Sequence, residues 1–303
     1  MIDILQGQQF NGHTGSVYAL AESWKEASFI SGGSDGLLVE WNLQDHLNGK
    51  VIAKIPDVIF SICVDEKRPI IYVGTQKGYL FVINTENKLI PRQIQFHTGP
   101  LFGICAYQES LFGISGDGLI SQFNKEDLKY INSIKVGSVG LRSFFMDKVN
   151  EQLFVGDRQG NIFSYHFKSG IVNRLVQIES KKTIFSLNFN TSNNRLILGG
   201  MDAQLHYFLL NQDPIIQHSI DAHWYTINSI VNVDSYKLII TGSRDRSIRI
   251  WDDITLELLK EISMTKYKAH THSVNYLLWM EKEKVLLSAS DDKTVKSWII
   301  TKI

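Results

Sequence analysis

Ser31-Gly-Gly-Ser-Asp35-Gly-Leu-Leu-Val-Glu-Trp41 is a turn of small residues closing on an Asp, followed six residues later by a Trp. The phrase returns as Thr241-Gly-Ser-Arg-Asp245 with Trp251 and as Ser288-Ala-Ser-Asp-Asp292 with Trp298. Aligning looser copies on the Asp-like position gives seven anchors: Asp35, Lys77, Asp117, Gln159, Asp202, Asp245 and Asp292, spaced 40 to 47 residues apart. The residues six positions further on are Trp41, Ile83, Phe123, Tyr165, Phe208, Trp251 and Trp298, all large and apolar or aromatic. A period of this length marks a propeller, a solenoid or an array.

The segments between anchors decide among these. Ser16-Val-Tyr-Ala-Leu, Ile70-Ile-Tyr-Val, Tyr79-Leu-Phe-Val-Ile and Ser247-Ile-Arg-Ile-Trp are short, β-branched and aromatic, and Gly, Asn and Asp break them. Such runs read as strands, and helical repeats would need apolar spacing of three and four. Each repeat has room for four strands; in the sixth they are expected near 226–233, 236–242, 247–251 and 256–263. The expected fold is therefore all-β: a seven-bladed propeller with four antiparallel strands per blade, residues 1–303 forming one domain. The last clear run, 294–299, stops at a third strand, and residues 2–10 precede the first repeat with no blade of their own. Ile2–Phe10 is thus expected to supply the outer strand of the last blade and close the ring, removing an open edge.

Composition narrows the function classes. Lys plus Arg equals Asp plus Glu, at 31 each. A neutral chain has no global electrostatic reason to hold nucleic acid or an anionic membrane. Two cysteines, Cys63 and Cys105, are too few for a disulfide framework. They fall at the same register of adjacent repeats and read as small packing residues, with a redox pair as the alternative. No apolar run approaches a membrane helix and the N-terminus lacks a signal-peptide pattern, so a cytoplasmic setting is expected. No phosphate-binding loop or dinucleotide fingerprint is present, and no cofactor is expected.

Gly12-His13 with Trp41, Ala222-His223 with Trp251-Asp252, and Ala269-His270 with Trp298 share a His-to-Trp distance of 28 residues. With these residues the chain resembles the WD-repeat family over nearly its whole length. Repeat three, with His97 and Phe123, resembles a shortened copy; repeats two, four and five lack the His and the Trp. The resemblance implies a buried hydrogen-bonded set in each well-formed blade: His13, Ser31, Asp35, Trp41; His223, Thr241, Asp245, Trp251; and His270, Ser288, Asp292, Trp298. In such a set the indole donates to the hydroxyl, the hydroxyl to the imidazole and the imidazole to the carboxylate, so every buried polar group has a partner.

Ser, His and Asp together also invite a hydrolase reading. The trio recurs three times with a Trp attached, whereas an active site is built once, and there is no nucleophile elbow. No catalytic residues are assigned. His270-Thr-His272 is the closest pair of metal-type ligands; with no third ligand nearby it does not make a zinc site.

Function then belongs to loops and strand ends. The resemblance implies two positions per repeat on the face carrying the second-to-third-strand turns. The first series is Tyr18, Phe60, Phe102, Arg142, Phe185, Asn228 and Asn275. The second is Ser34, Gln76, Gly116, Arg158, Met201, Arg244 and Asp291. Aromatic residues, Met and Arg are the types enriched where partners bind. The expected partner-binding set is Tyr18, Phe60, Phe102, Arg142, Arg158, Phe185 and Arg244. The expected function is a non-catalytic scaffold for a protein or peptide, one carrying an acidic or phosphorylated group matched to the arginines. Two alternatives stand beside it: an enzyme-type propeller with a small-molecule or metal site in its channel, and a structural subunit that buries its rim. The aromatics of the first series could also turn inward and plug the channel. Two loops, Asn42–Lys50 and Met264–Lys268, stand out by length. Arg244, Arg246 and Arg249 read as a solvated basic cluster.

Overall fold

The second strands of the repeats, such as Ser28–Gly33, Leu238–Ser243 and Val285–Ser290, are buried at every residue. A strand covered on both faces has no polar side to alternate with, which is why these segments read as continuous runs of apolar and small residues. Their covers are the neighbouring blades. The computed structural model describes residues 2–86, 92–191, 193–212 and 215–302. In it, seven four-stranded antiparallel sheets stand side by side as blades. The first strands touch one another in sequence order, and Val274–Met280 of the seventh blade meets Val17–Glu22 of the first, so the ring is closed.

Six blades use four consecutive strands. The seventh takes Val274–Met280, Val285–Ser290 and Val295–Lys302 from the C-terminal end and Ile2–Phe10 from the N-terminal end. Pairing runs from Ile2 opposite Lys302 to Phe10 opposite Val295, with a bulge between Gln6 and Gln9. The bulge holds Ser297, whose Oγ accepts from the Gln8 N–H at 2.7 Å, and a side chain at Gly7 would collide with that hydroxyl. The last strand runs past the expected 294–299 because Ile2 to Leu5 continue the ladder. Blade six has strands Ile227–Val233, Leu238–Ser243, Ile248–Asp252 and Leu258–Ile262, within two residues of the expected bounds.

The small residues of the repeated phrase have two separate causes. Three positions before the anchor, a Cβ on Gly32 would come within 2.7 Å of Ile59, and one on Gly242 within 2.7 Å of Val274. Each of those residues opens the first strand of the next blade, so the glycine is the notch that lets blades pack. One position after the anchor, the backbone is left-handed in every blade: Gly36, Gly78, Gly118, Gly160, Ala203, Arg246 and Lys293 have φ between 64° and 85°. This is the hairpin geometry of a type I turn followed by a left-handed residue. It recurs even where Lys77 or Gln159 replaces the Asp.

The seven residues six beyond the anchors are all buried, none more than 5 % exposed. They fill the seams between blades; Trp298, for instance, packs with Ile240, Ile250 and Leu286 across blades six and seven. A buried side chain of this size contributes about 1.5–3 kcal/mol by removal from water. At the other end of the blades a polar clamp ties blade two to blade three. Asp65, fully buried, pairs with Arg68 at 2.9 Å and with Lys125 of the next blade at 3.5 Å.

Two sequence expectations are corrected. Asn42–Lys50 is not an extended loop: Asp45–Lys54 is a ten-residue strand that pairs back from Asn42, so the surplus residues lengthen the rim. Met264–Lys268 is an exposed basic turn: Met264–Tyr267 forms one helical turn, closed by Lys268 at φ 50°. Arg249 is not solvated: it pairs with Glu261 at 2.9 Å and donates to the Ala222 carbonyl. Strand alternation does turn Arg249 away from its apolar neighbours, but the fourth strand places Glu261 opposite it.

Candidate binding cavity and the struts around it

In blade one, Trp41 Nε1 donates to Ser31 Oγ at 2.8 Å, Ser31 Oγ lies 2.7 Å from His13 Nε2, and His13 Nδ1 lies 3.0 Å from Asp35. Because the hydroxyl receives the indole proton, it gives its own to Nε2, which fixes the imidazole with its proton on Nδ1 facing the carboxylate. The same chain of contacts joins Trp251, Thr241, His223 and Asp245 (2.9, 2.7 and 2.9 Å). It also joins Trp298, Ser288, His270 and Asp292 (2.9, 2.7 and 2.8 Å). Each Asp further accepts a backbone N–H from the residue after the His: Thr14, Trp224 or Thr271. Burial by itself would raise the Asp245 carboxyl, but hydrogen bonds from His223 and Ser247 outweigh it and hold the group well below the usual carboxylate range. Burial pushes the His223 imidazole down, against the pull of Asp245, so the ring is neutral at pH 7.

The hydroxyls of Ser31, Thr241 and Ser288 are fully buried. A nucleophile must meet its substrate, and these are sealed beneath an indole. Both ring nitrogens of His270 are engaged, and His272 pairs with Thr271 on the surface. The two cysteines are free thiols; burial pushes Cys63 up to about 11 and raises Cys105 as well, which makes both poor nucleophiles.

Two irregular blades rebuild the strut from other strands. In blade three the hydroxyl position is Gly113; Ser121, directly opposite it on the next strand, reaches across to His97 Nε2 at 2.7 Å. Its partner Asp117 lies 3.1 Å from Nδ1. In blade five the imidazole comes from the third strand: His206 Nε2 is 3.0 Å from Asp202 and Nδ1 is 2.6 Å from Ser219. Blade four uses Asp157, which holds Asn161 Nδ2 at 2.7 Å.

All seven residues of the first series line one central cavity of about 500 Å³. Tyr18, Phe60 and Phe102 form an arc with ring centroids 5.4 Å apart at each step. Arg142 continues the arc, its Cζ 3.9 Å from the Phe102 ring centre and 4.9 Å from that of Phe185. These rings come from the blades on either side of it. Burial and the nearby Arg158 push the Arg142 guanidinium down to about 10, which leaves it charged at neutral pH. Across the cavity, Asn228 donates to Ser273 and to the Val274 carbonyl (3.0 and 2.9 Å). Asn275 donates to the Val17 carbonyl and to Asp291 (3.0 and 2.8 Å). The aromatics thus stand in the channel, where they narrow it without filling it. The second series lies outside the cavity lining. Its turns leave Gln76, Arg158, Met201 and Arg244 exposed.

Sequence reasoning missed two residues on this face. Trp224 is 81 % exposed and Tyr225 is 62 % exposed, in the loop leading into blade six. The signal was present in the alignment: the residues after the strut His are Thr14-Gly15, Thr98-Gly99 and Thr271-His272 elsewhere. The fold uses only the backbone N–H of Trp224, so nothing in the strut accounts for an indole there.

A family model described as "WD domain, G-beta repeat" matches residues 5–42, 215–252 and 261–298. Each stretch runs from the outer strand of one blade through the first three strands of the next, into blades one, six and seven, and each carries a full strut. Those three stretches match WD repeats, and the whole fold is a seven-bladed β-propeller. The crystal structure of the WD40 beta propeller domain of Doa1 superposes on it with a TM-score of 0.85, covering 98% of this chain and 97% of that one at 13% identity. At that identity the likeness speaks for the fold alone. No curated protein is significantly similar in sequence to this propeller. Among its described residues no helix is long and apolar enough to cross a membrane.

Proposed function

We propose that this WD-repeat propeller, acting as one domain over residues 1–303, is a non-catalytic cytoplasmic platform that docks a protein or peptide partner. The docking face is the one bearing the second-to-third-strand turns. WD-repeat propellers generally serve as interaction scaffolds, and a rigid ring lowers the ordering cost of the loops it presents. The observation that carries the reading is the exposure of Trp224 and Tyr225 on that face, with no structural employment for either side chain. Exposed Met201, Arg158 and Arg244 share the face, and the cavity mouth adds Tyr18, Phe60, Phe102, Arg142 and Phe185. Trp, Tyr and Arg are the residue types that dominate binding energy at interfaces. The absence of carboxylates from the cavity lining, among the described residues, suits a partner that brings an acidic or phosphorylated group.

The test is recovery of partners from the chain's own cells by wild type, by Trp224→Ala and by a Phe102→Leu/Arg142→Met double variant. Loss of at least ten-fold in a specific partner with either variant, each with an unchanged thermal melt, is the expected result. Equal recovery by all three overturns the reading. A second reading, a subunit that buries its rim, draws on one further observation. Leu5 and Ile299 face each other on the outer strands of the closing blade, and Leu47 and Val51 lie on the adjacent outer strand of blade one, all exposed. Light scattering of wild type against Leu47→Asp separates a rim-mediated assembly from a free monomer.

A further inference from the structure

The central cavity has one charge in its wall. Of the residues lining it, Arg142 is the sole ionised side chain among the described residues, and no carboxylate is paired with it. We propose that this cavity is a receptor for a single carboxylate carried on a flat apolar body, either a free aromatic acid or the aromatic C-terminal residue of a chain. The inference shares Phe102 and Arg142 with the docking reading but needs neither Trp224 nor Tyr225, and titration with small molecules tests it apart from partner recovery.

The lining of the cavity supports it. The Arg142 guanidinium is flanked by Phe102 and Phe185, whose rings hold it in the channel as a cation over aromatic faces. Ring contacts satisfy its charge in part but use none of its N–H donors, which stay free for a two-pronged contact with a planar oxyanion. The side chains of Asn228 and Asn275 at the same level spend their N–H donors on Ser273, Val274, Val17 and Asp291, three of these bonds crossing between blades. An incoming anion therefore finds a single cation in the wall. The charge count selects its type: a monoanion neutralises Arg142, whereas a phosphate dianion would bring a second charge to a wall with no second cation. The body of the ligand is specified by the Tyr18–Phe60–Phe102 arc, a continuous aromatic wall beside the cation. The volume, about 500 Å³, lies within the range of small-molecule pockets, roughly 300–1,000 Å³.

The experiment is calorimetric titration of the full chain with four probes. 3-Phenylpropionate represents the free acid and N-acetyl-L-phenylalanine the C-terminal residue. N-acetyl-L-phenylalaninamide removes the charge and phenyl phosphate doubles it. The expected result is saturable binding of at least one acid, with the amide at least thirty-fold weaker than N-acetyl-L-phenylalanine if that acid binds. Phenyl phosphate should be weaker than the better acid above pH 7, where it is a dianion. Binding of 3-phenylpropionate alone identifies the free acid as the source, and binding of N-acetyl-L-phenylalanine alone identifies the chain terminus. In folded protein, Arg142→Met should abolish acid binding and Arg142→Lys should weaken it at least ten-fold, since an ammonium lacks the planar fork. Arg174→Ala, on the exposed outer strand Val172–Gln177 of blade four, should stay within three-fold of wild type. Failure of both acids, equal affinity for acid and amide, tighter binding of phenyl phosphate, or full affinity in Arg142→Met each overturns the proposal. The acid-against-amide comparison uses wild-type protein, so it holds even if the variants fail to fold.

Discussion

Trp251 shows how much of a blade rests on a single side chain. It fills the seam with Ile197, Leu205, Ile227 and Ile239, and it donates to Thr241, which in turn orients His223. Trp251→Ala should lower stability by about 3–5 kcal/mol, as large core truncations do. Trp251→Phe keeps most of the bulk and loses the donor, so about 1 kcal/mol is expected from the missing hydrogen bond. Urea unfolding of the two variants checks both, and wild-type stability in Trp251→Phe would mean that the strut contributes nothing beyond volume. At this scale His13, His223 and His270 were legible from their constant distance to a Trp. Ser121 and His206 were not, because each reaches its partner from a different strand and only the pairing register brings them within reach.

The turn between second and third strands is the element that repeats most faithfully. The residue after each anchor is left-handed in all seven blades, although only four of them place Gly there. At Gly36 a side chain would also meet the carbonyl oxygens of Ile55 and Asp57. Gly36→Ala is therefore expected to destabilise by about 1–3 kcal/mol, through strain at positive φ together with the clash. Lys293→Gly, which relieves a non-glycine residue at φ 71°, should be neutral or slightly stabilising. Thermal melts of the pair decide this, and a harmless Gly36→Ala would remove the turn from the list of fold determinants. The strands themselves were readable from β-branched runs. The extra length of Asp45–Lys54 and the single helical turn Met264–Tyr267 were not, since a surplus of polar residues reads alike whether it extends a hairpin or coils into a turn.

Over the whole molecule the struts act together on the response to acid. Asp35, Asp117, Asp245 and Asp292 all have carboxyls held below their ordinary value; burial opposes, and hydrogen bonds prevail, led by the adjacent His in the last three and by the Leu37 N–H at Asp35. A carboxylate depressed in the folded state binds fewer protons than in the unfolded chain, so its stabilisation is complete above the unfolded value, about 4, and is lost as pH falls below it. His223 is likewise depressed, so the unfolded chain takes up its proton first and stability declines already below about 6.5. Stability should thus fall in two stages on acidification, a shallow one below about 6.5 and a steep one below about 4. Replacing His223 with Gln should remove the first stage and leave the second. A melting temperature flat from pH 7 to 5 in wild type would contradict the first stage. Ring closure belongs to this scale too: Ile2, Ile4 and Phe10 are buried in seams on both sides of the closing blade, so the two chain ends serve as one element of the core.

What the sequence by itself determined is the number of blades, the strand content, the closure by residues 2–10 and the positions of the complete struts. These follow from local patterns that repeat with a fixed period, and a repeat can be counted without knowing how its copies sit in space. Tertiary structure alone decided which irregular blades rebuild their struts and with what residues, that Arg249 pairs with Glu261, and that the first series of residues converges on one cavity while Trp224 and Tyr225 stand clear of it. Those outcomes depend on which side chains meet across strands and across the channel, a matter of register and curvature that no single stretch of residues encodes.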